Sequence, residues 1–261
     1  MMRPSTVVMV HGAFCGGWVF DEFRRPFEAA GLKVAAPDLR GHGPEDRPGD
    51  VANLSMADYA ADITALCRQI AAEDGGPPVL LGHSLGGLVA QMTAGRQPLA
   101  SLVLLAPSAP WGVFGSSLEE AVTAATLPLV APTPFSPVEP DLHLLRGFSL
   151  DRLAPGAREA AVQRVRPESA RAILETLTWW LDPLMTTRTD PPPSGLDSLV
   201  ISGGKDRVHP PATVRQVAGR LGAEYVEMAG MSHWLPGEPG WESVAERVLD
   251  WLAARPDRAA A

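Results

Sequence analysis

The pentapeptide Gly82-His83-Ser84-Leu85-Gly86 stands between the apolar run 78–81 and a helix-forming stretch that begins near Leu85. Glycines two before and two after a serine, where a buried strand meets a helix, mark a strained turn in which a Cβ at either place would collide with neighbouring backbone. That turn holds the Ser84 hydroxyl at the strand's C-terminal end, over a helix N-terminus whose dipole and free N–H groups favour developing negative charge. The pentapeptide therefore requires a strand-turn-helix unit, and a chain of alternating strands and helices to carry it.

The remainder of the chain has that rhythm. Thr6–Val10 is a strand-like run closed by His11-Gly12, and Trp18, Phe20, Phe23 and Phe27 follow at helical spacings. The apolar run 34–38 precedes a turn-rich stretch, and Ser55 caps a helix through Tyr59, Ile63, Leu66 and Ile70. After a strand over 102–105 the rhythm breaks from Pro107 to about Pro193. Here Pro128, Pro132, Pro134, Pro137 and Pro140 crowd together, with amphipathic pieces around 142–148 and 169–181. It resumes with a strand over 199–202, a helix over Pro211–Leu221, the strand Glu224–Met228 and a last helix over 241–251. Near-continuous apolar strands separated by helices predict an α/β fold: a mostly parallel sheet of about six strands, flanked by helices on both faces. A helical cap is expected after the strand ending near Ala106, giving a core of 1–110 and 191–261 and a cap of 111–190.

A serine nucleophile needs a base and a group to orient it. Asp206 follows the strand 199–202 through Gly203-Gly204-Lys205, and His233 follows the last strand through Ala229-Gly230-Met231-Ser232, so both are expected at strand C-terminal ends beside Ser84. Asp190, Asp197 and Glu119 are the rival acids. Oxyanion donors are expected from the Leu85 N–H and, in the turn His11-Gly12-Ala13-Phe14, from Ala13. Gly12 lets backbone approach the site, whereas His11 reads as a structural residue fastening this loop.

Five ordered motifs carry a resemblance: His11 to Trp18, Asp38-Leu39-Arg40-Gly41-His42-Gly43, Gly82 to Gly87, Gly203-Gly204-Lys205-Asp206 and Ser232-His233-Trp234. Over essentially its whole length the chain resembles the α/β-hydrolase superfamily, and within it the small capped esterases similar to plant methylesterases and hydroxynitrile lyases. The resemblance implies that the first strand here is the one usually called third. Related hydroxynitrile lyases carry a Thr after the early-loop His and a Lys after the catalytic His; Gly12 and Trp234 stand there instead, which disfavours that lyase chemistry. Epoxide hydrolases and dehalogenases of the fold use an aspartate nucleophile, which Ser84 is not.

Composition narrows the partners. With 46% hydrophobic and 20% charged residues the chain has material for a buried core, and a net charge of -8 without a Lys/Arg cluster lacks the footprint of a nucleic-acid or anionic-membrane binder. Two cysteines, Cys15 and Cys67, make no disulfide framework and no metal spacing; no metal or cofactor is expected, and Cys15 reads as a small buried hydrophobe. His143 and His209 have no ligand spacing, and His42 reads as a loop support. The apolar run 7–10 is shorter than a signal-peptide core, so a cytoplasmic protein is expected, a monomer or homodimer.

The leading expectation is a cofactor-free serine carboxylesterase for small to medium apolar esters, lined by Phe14, Trp111, Phe114, Leu118, Trp179, Trp180, Met185 and Trp234. Adjacent helical residues point about 100° apart, so one of Trp179 and Trp180 is expected in the pocket and the other in packing. Two alternatives stay open: the same triad serving C–C bond, lactone or lyase chemistry, and a hydrolase-derived ligand receptor with slow turnover.

Overall fold

A computed structural model of the chain describes residues 6–118, 120, 121 and 133–255. Along it run β1 (Thr6–Val10), α1 (Arg25–Ala29), β2 (Lys33–Ala35), α2 (Met56–Asp74), β3 (Val79–His83), α3 (Leu85–Ala94) and β4 (Ser101–Leu105). The inserted stretch contributes β5 (Pro137–Val138), α4 (Pro155–Val162), β6 (Glu168–Ser169) and α5 (Ala170–Leu177). The chain then returns through β7 (Ser198–Gly203), α6 (Pro211–Leu221), β8 (Glu224–Met228) and α7 (Trp241–Ala253). Six strands form one sheet in the order β2-β1-β3-β4-β7-β8, with every pair parallel.

The period-two alternation of strand side chains divides the core into two layers. Val8, Val10, Leu80, Leu102, Leu104 and Val200 face α2, α3 and α6, while Val7, Met9, Leu81, Val103, Leu105 and Ile201 face Phe20, Phe23, Phe27 and the α7 residues Val244, Val248 and Trp251. These strand side chains are fully buried. Truncating one of the larger, such as Leu81→Ala, would cost about 2–5 kcal/mol.

The order of the strands places the site. From β1 the chain steps outward to β2 and then back across to β3, so the direction of winding reverses between β1 and β3. A crevice opens at the C-terminal ends of strands at such a reversal. The segment His11–Phe14 leaves β1 there and Ser84 leaves β3 there.

Two local features depart from the sequence reading. The aromatic run expected as a helix splits into a 3-10 turn, Gly17–Phe20, and α1, because Pro26 has no N–H to continue a helical ladder from the preceding turn and instead sits in the first turn of α1. Phe20, Phe23 and Phe27 still stack on one face, with centroids 6.3 and 5.5 Å apart along the series. In the insertion, β5 and β6 pair antiparallel over two residues each, too short to leave a periodicity in the sequence.

The second half of the insertion is sewn onto the core. Ala170, Ala172 and Ile173 of α5 are buried in the α2 layer. Ser169 Oγ caps α5 and donates to the Leu54 carbonyl at 2.6 Å, while the Glu175 carboxylate accepts from Ser55 Oγ at 2.8 Å and Met56 N–H at 2.9 Å. Glu175 thus satisfies donors at the N-terminus of α2, where Ser55 and Asp58 already form a capping box.

Candidate active site

Ser84 has φ 55° and ψ −123°, a conformation side chains rarely adopt, and its backbone is held on both sides. Its N–H donates to Leu105 O at 3.0 Å, and its carbonyl accepts from Gly87 N–H at 2.8 Å and Ser108 N–H at 2.9 Å. The glycine requirement is steric: a Cβ at Gly82 would strike the Gly86 carbonyl, and one at Gly86 would strike the carbonyls of Val10 and His11. A Cβ on Gly12 would lie 2.9 Å from Ser84 Cβ, so only glycine lets the β1 loop come this close to the hydroxyl.

Three loops converge on that hydroxyl. Ser84 Oγ lies 3.1 Å from His233 Nε2, and His233 Nδ1 lies 2.8 Å from Asp206 Oδ2. A carboxylate only accepts, so Nδ1 carries the ring proton and Nε2 presents its lone pair to the serine O–H. Asp206 Oδ1 accepts from the N–H groups of Val208 and His209 at 2.8 and 2.9 Å, which locks the carboxylate plane. Burial pushes the Asp206 carboxyl up, but the charge and hydrogen bond of His233, with His209 nearby, outweigh this and hold it below the ordinary carboxylate range. Of the rival acids, Asp197 lies 3.9 Å from Arg255, Asp190 is exposed, and Glu119 falls outside the described residues.

Two further histidines surround His233, and neither is expected in the site from sequence. His83 donates through Nε2 to the His233 carbonyl at 2.9 Å, with its ring 5.0 Å from that of His233. His209 bonds Ser108 Oγ at 2.9 Å, 5.2 Å from the His233 ring. Burial and then the proximity of His233 pull both down, to about 3 for His83 and about 4 for His209, so both are neutral at physiological pH. His233 is the imidazole that places a nitrogen 3.1 Å from Ser84 Oγ. No spacing signal marks His209, whereas His83 lies inside the glycine-serine pentapeptide.

The β1 loop is fastened by His11, which accepts the Leu39 N–H at Nε2 (2.9 Å) and contacts the Gly12 carbonyl through Nδ1 (2.8 Å). Phe14 has φ 63° and its carbonyl accepts the Arg166 N–H from the insertion at 2.9 Å. Leu85 begins α3, and its N–H is among the first-turn amides that a helix cannot satisfy internally. An acceptor-bearing carbonyl between these amides and Ser84 Oγ would meet a nucleophile, a base and donors to a developing oxyanion together.

The remaining expected lining residues are spread across the insertion and the His233 loop. Trp234 is buried, its ring 5.9 Å from that of Trp18 in a tilted contact and 5.9 Å from that of His83 edge-on. Trp179 is buried with its indole N–H donating to Val113 O at 3.2 Å, and its ring meets Trp111 and Phe114 at 5.2 and 4.7 Å. Trp180 is 48% exposed, Phe114 64% and Leu118 76%, and Met185 is exposed at φ 51°. Cys15 is buried, and burial drives its thiol far up, which makes it unreactive.

The model of the alpha/beta hydrolase family matches residues 7–247. A pyrethroid hydrolase of Sphingobium wenxiniae is 37% identical over 106 residues, covering 40% of this chain and 36% of that protein. Salicylic acid-binding protein 2 of Nicotiana tabacum is 34% identical over 119 residues, covering 45% of each chain. The match thus spans less than half the length of each of these relatives. A methylesterase from Arabidopsis shares the fold at a TM-score of 0.72 with 17% identity, over 96% of this chain and 99% of that one.

Proposed function

The chain belongs to the alpha/beta hydrolase family, and from that premise we propose that it is a serine carboxylesterase acting on small to medium apolar esters. The observation that carries this reading is the hydrogen-bonded line from Ser84 Oγ through His233 to Asp206, at 3.1 and 2.8 Å. Ser84 attacks the ester carbonyl while His233 Nε2 takes its proton and passes it to the leaving alcohol. Asp206 keeps the imidazole in the required tautomer and stabilises the imidazolium. The N–H groups of Ala13 and Leu85 receive the oxyanion, and water then repeats the sequence to release the acid. The pyrethroid hydrolase and methylesterase relatives support ester chemistry.

The insertion 111–190 is assigned as a cap, with Phe14, Trp111, Phe114, Leu118, Trp179, Trp180, Met185 and Trp234 as candidate substrate contacts; residues 119 and 122–132 of it lie outside the described residues. A small-molecule ester is the partner and a cytoplasmic monomer or homodimer the assembly. Among the described residues no helix is long and apolar enough to cross a membrane.

The test is a fluorophosphonate followed by peptide mass spectrometry, alongside turnover of a p-nitrophenyl ester series. Labelling of Ser84 with multiple turnover is expected, and Ser84→Ala should lose on the order of 10³ or more in kcat while keeping its thermal transition. A folded Ser84→Ala protein with wild-type turnover refutes the mechanism. Labelling without turnover points instead to a ligand receptor or to different chemistry on the same residues.

A further inference from the structure

The insertion reaches the β1 loop through a chain of buried polar groups. Glu168, on β6, is completely buried and accepts from Tyr59 OH at 2.6 Å and from its own neighbour Ser169 N–H at 2.8 Å; its other oxygen lies 3.1 Å from His42 Nε2. The His42 ring lies 5.3 Å from that of His11, and His42 Nδ1 contacts Arg40 O at 3.2 Å. His11 contacts the Gly12 carbonyl through Nδ1. Two residues before Glu168, Arg166 donates its backbone N–H to Phe14 O, and its guanidinium donates to Asp46 O. One short segment of the insertion therefore holds one end of the turn that contains Ala13 directly, at Phe14, and reaches the other, His11, through the His42 ring.

We propose that Glu168 is a positioning residue for the oxyanion loop, acting through His42 and His11 to fix the direction of the Ala13 N–H. This inference rests on the serine-esterase reading, in which Ala13 is an oxyanion donor. The steps are electrostatic and geometric. Burial pushes the His42 imidazole down, but the Glu168 carboxylate more than reverses this, so His42 is held above its ordinary range; burial likewise pushes Glu168 up, and His42 and Tyr59 bring it below its own. Both directions favour the charged forms of the pair, and a charged partner needs its counter-charge once out of water. Burial first, and then the neighbouring His42 charge, bring His11 down to about 3, so His11 is neutral.

A neutral His11 has one ring proton. Nε2 accepts from Leu39 N–H, so the proton is on Nδ1 and is donated to the Gly12 carbonyl. In a trans peptide the C=O and the following N–H point in opposite directions, and the described chain has no cis bond here. Pinning the Gly12 carbonyl therefore pins the Ala13 N–H. Without the Glu168 charge, His42 loses the partner that fixes its tautomer and orientation, and the ring it packs against, His11, is no longer held in line with the Gly12 carbonyl.

Glu168→Gln tests this because it removes charge and keeps shape: Gln Oε1 can still accept from Tyr59 and Ser169, and a neutral His42 can turn its lone pair to the amide while its Nδ1–H donates to Arg40 O. The probe is an alkyl trifluoromethyl ketone labelled with ¹³C at the carbonyl. Ser84 Oγ adds to that carbon, its proton passes to His233, and the carbonyl oxygen becomes a hemiketal oxyanion whose titration is read by NMR. Losing a whole oxyanion donor costs about 10²–10³ in kcat, so a misdirected one should cost on the order of tenfold or more, with KM within about threefold. The hemiketal titration should move up by about one pH unit, the same tenfold. His42→Gln should do likewise, and the double variant should be no worse than either single one. Tyr59→Phe removes a bond to the same carboxylate but leaves the pair, and should lower the thermal transition without moving the titration.

If Glu168→Gln does not fold, His42→Gln supplies the same readout. A wild-type titration in folded Glu168→Gln or His42→Gln overturns the proposal, as does an equal shift in Tyr59→Phe. Failure of the wild-type protein to form the hemiketal at Ser84 refutes instead the serine-esterase reading beneath it.

Discussion

Asp206→Asn separates tautomer control from simple packing, and the structure fixes how the amide must sit. Asp206 Oδ1 accepts two backbone N–H groups and Oδ2 faces His233 Nδ1. Turning the asparagine NH₂ toward Val208 and His209 would set donor against donor at 2.8 and 2.9 Å in a buried site, so its oxygen takes that side and its NH₂ faces the imidazole. His233 must then offer a lone pair at Nδ1 and carry its proton on Nε2, which points at Ser84 Oγ and leaves no base for the serine proton. In a serine protease the same change costs about 10⁴ in kcat, about 5.4 kcal/mol of barrier at 1.36 kcal/mol per tenfold. Since both backbone bonds survive, the variant should fold. Stopped-flow measurement of the p-nitrophenol burst from p-nitrophenyl acetate should show acylation and deacylation both slowed. Asp197→Asn should leave both rates unchanged. Retention of more than about a tenth of wild-type kcat in folded Asp206→Asn would refute the tautomer argument, and loss in Asp197→Asn would redirect the role of the acid.

The tryptophan pair should divide its effects: Trp179→Ala, removing a buried ring between Trp111 and Phe114, should cost about 3–5 kcal/mol of stability by denaturant unfolding. Trp180→Ala should leave stability within about 0.5 kcal/mol and shift the acyl-length profile of kcat/KM; an unchanged profile in both removes them from substrate recognition. Burial pushes the Glu238 carboxyl up to about 7, with Asp151 adding to this and Arg152 and His233 opposing it. A carboxyl raised on folding is protonated in the folded state where the unfolded chain has released its proton, so this group makes stability fall as pH rises from about 4.5 to about 7. Thermal scans should show a smaller fall for Glu238→Gln over that window; parallel pH profiles would contradict the assignment.

The parts of the fold that could be read in advance are those where local and tertiary demands coincide. Strands such as β3 and β4 are buried on both faces and so appear as unbroken apolar runs; the glycine at 82 is forced by the Gly86 carbonyl within the turn, and that at 86 by the Val10 and His11 carbonyls at the end of the neighbouring β1. The three triad candidates are legible because each follows a strand in order, and the fold brings them within hydrogen-bond reach. Glu168 was invisible: its partners His42 and Tyr59 are 126 and 109 residues away, and a lone acid in a proline-broken stretch has no local signature. The Trp18 to Phe27 run misled about helix length because its spacing reports a shared face, which two short turns satisfy as well as one helix. Only Pro26 hinted at the break.

The insertion answers to two different requirements, and its residues divide accordingly. Between Arg166 and Thr176 the side chains and backbone meet the core through hydrogen bonds and contacts to the partly buried Phe14 and Leu54 and the buried Ser55, Met56, Tyr59 and His42. Such groups are costly to separate, because pulling them apart leaves buried donors and charges without partners. Phe114, Leu118, Trp180, Leu181, Leu184 and Met185 instead present apolar surface outward, on segments flanking that anchor. Substituting one exposed apolar side chain for another changes stability little, whereas altering an anchored polar group disturbs both insertion and core. On the serine-esterase reading proposed above, substrate preference would vary at the exposed apolar positions while the Arg166 to Glu168 segment keeps the β1 loop in place, so that recognition and oxyanion geometry would be carried by separate parts of the same insertion.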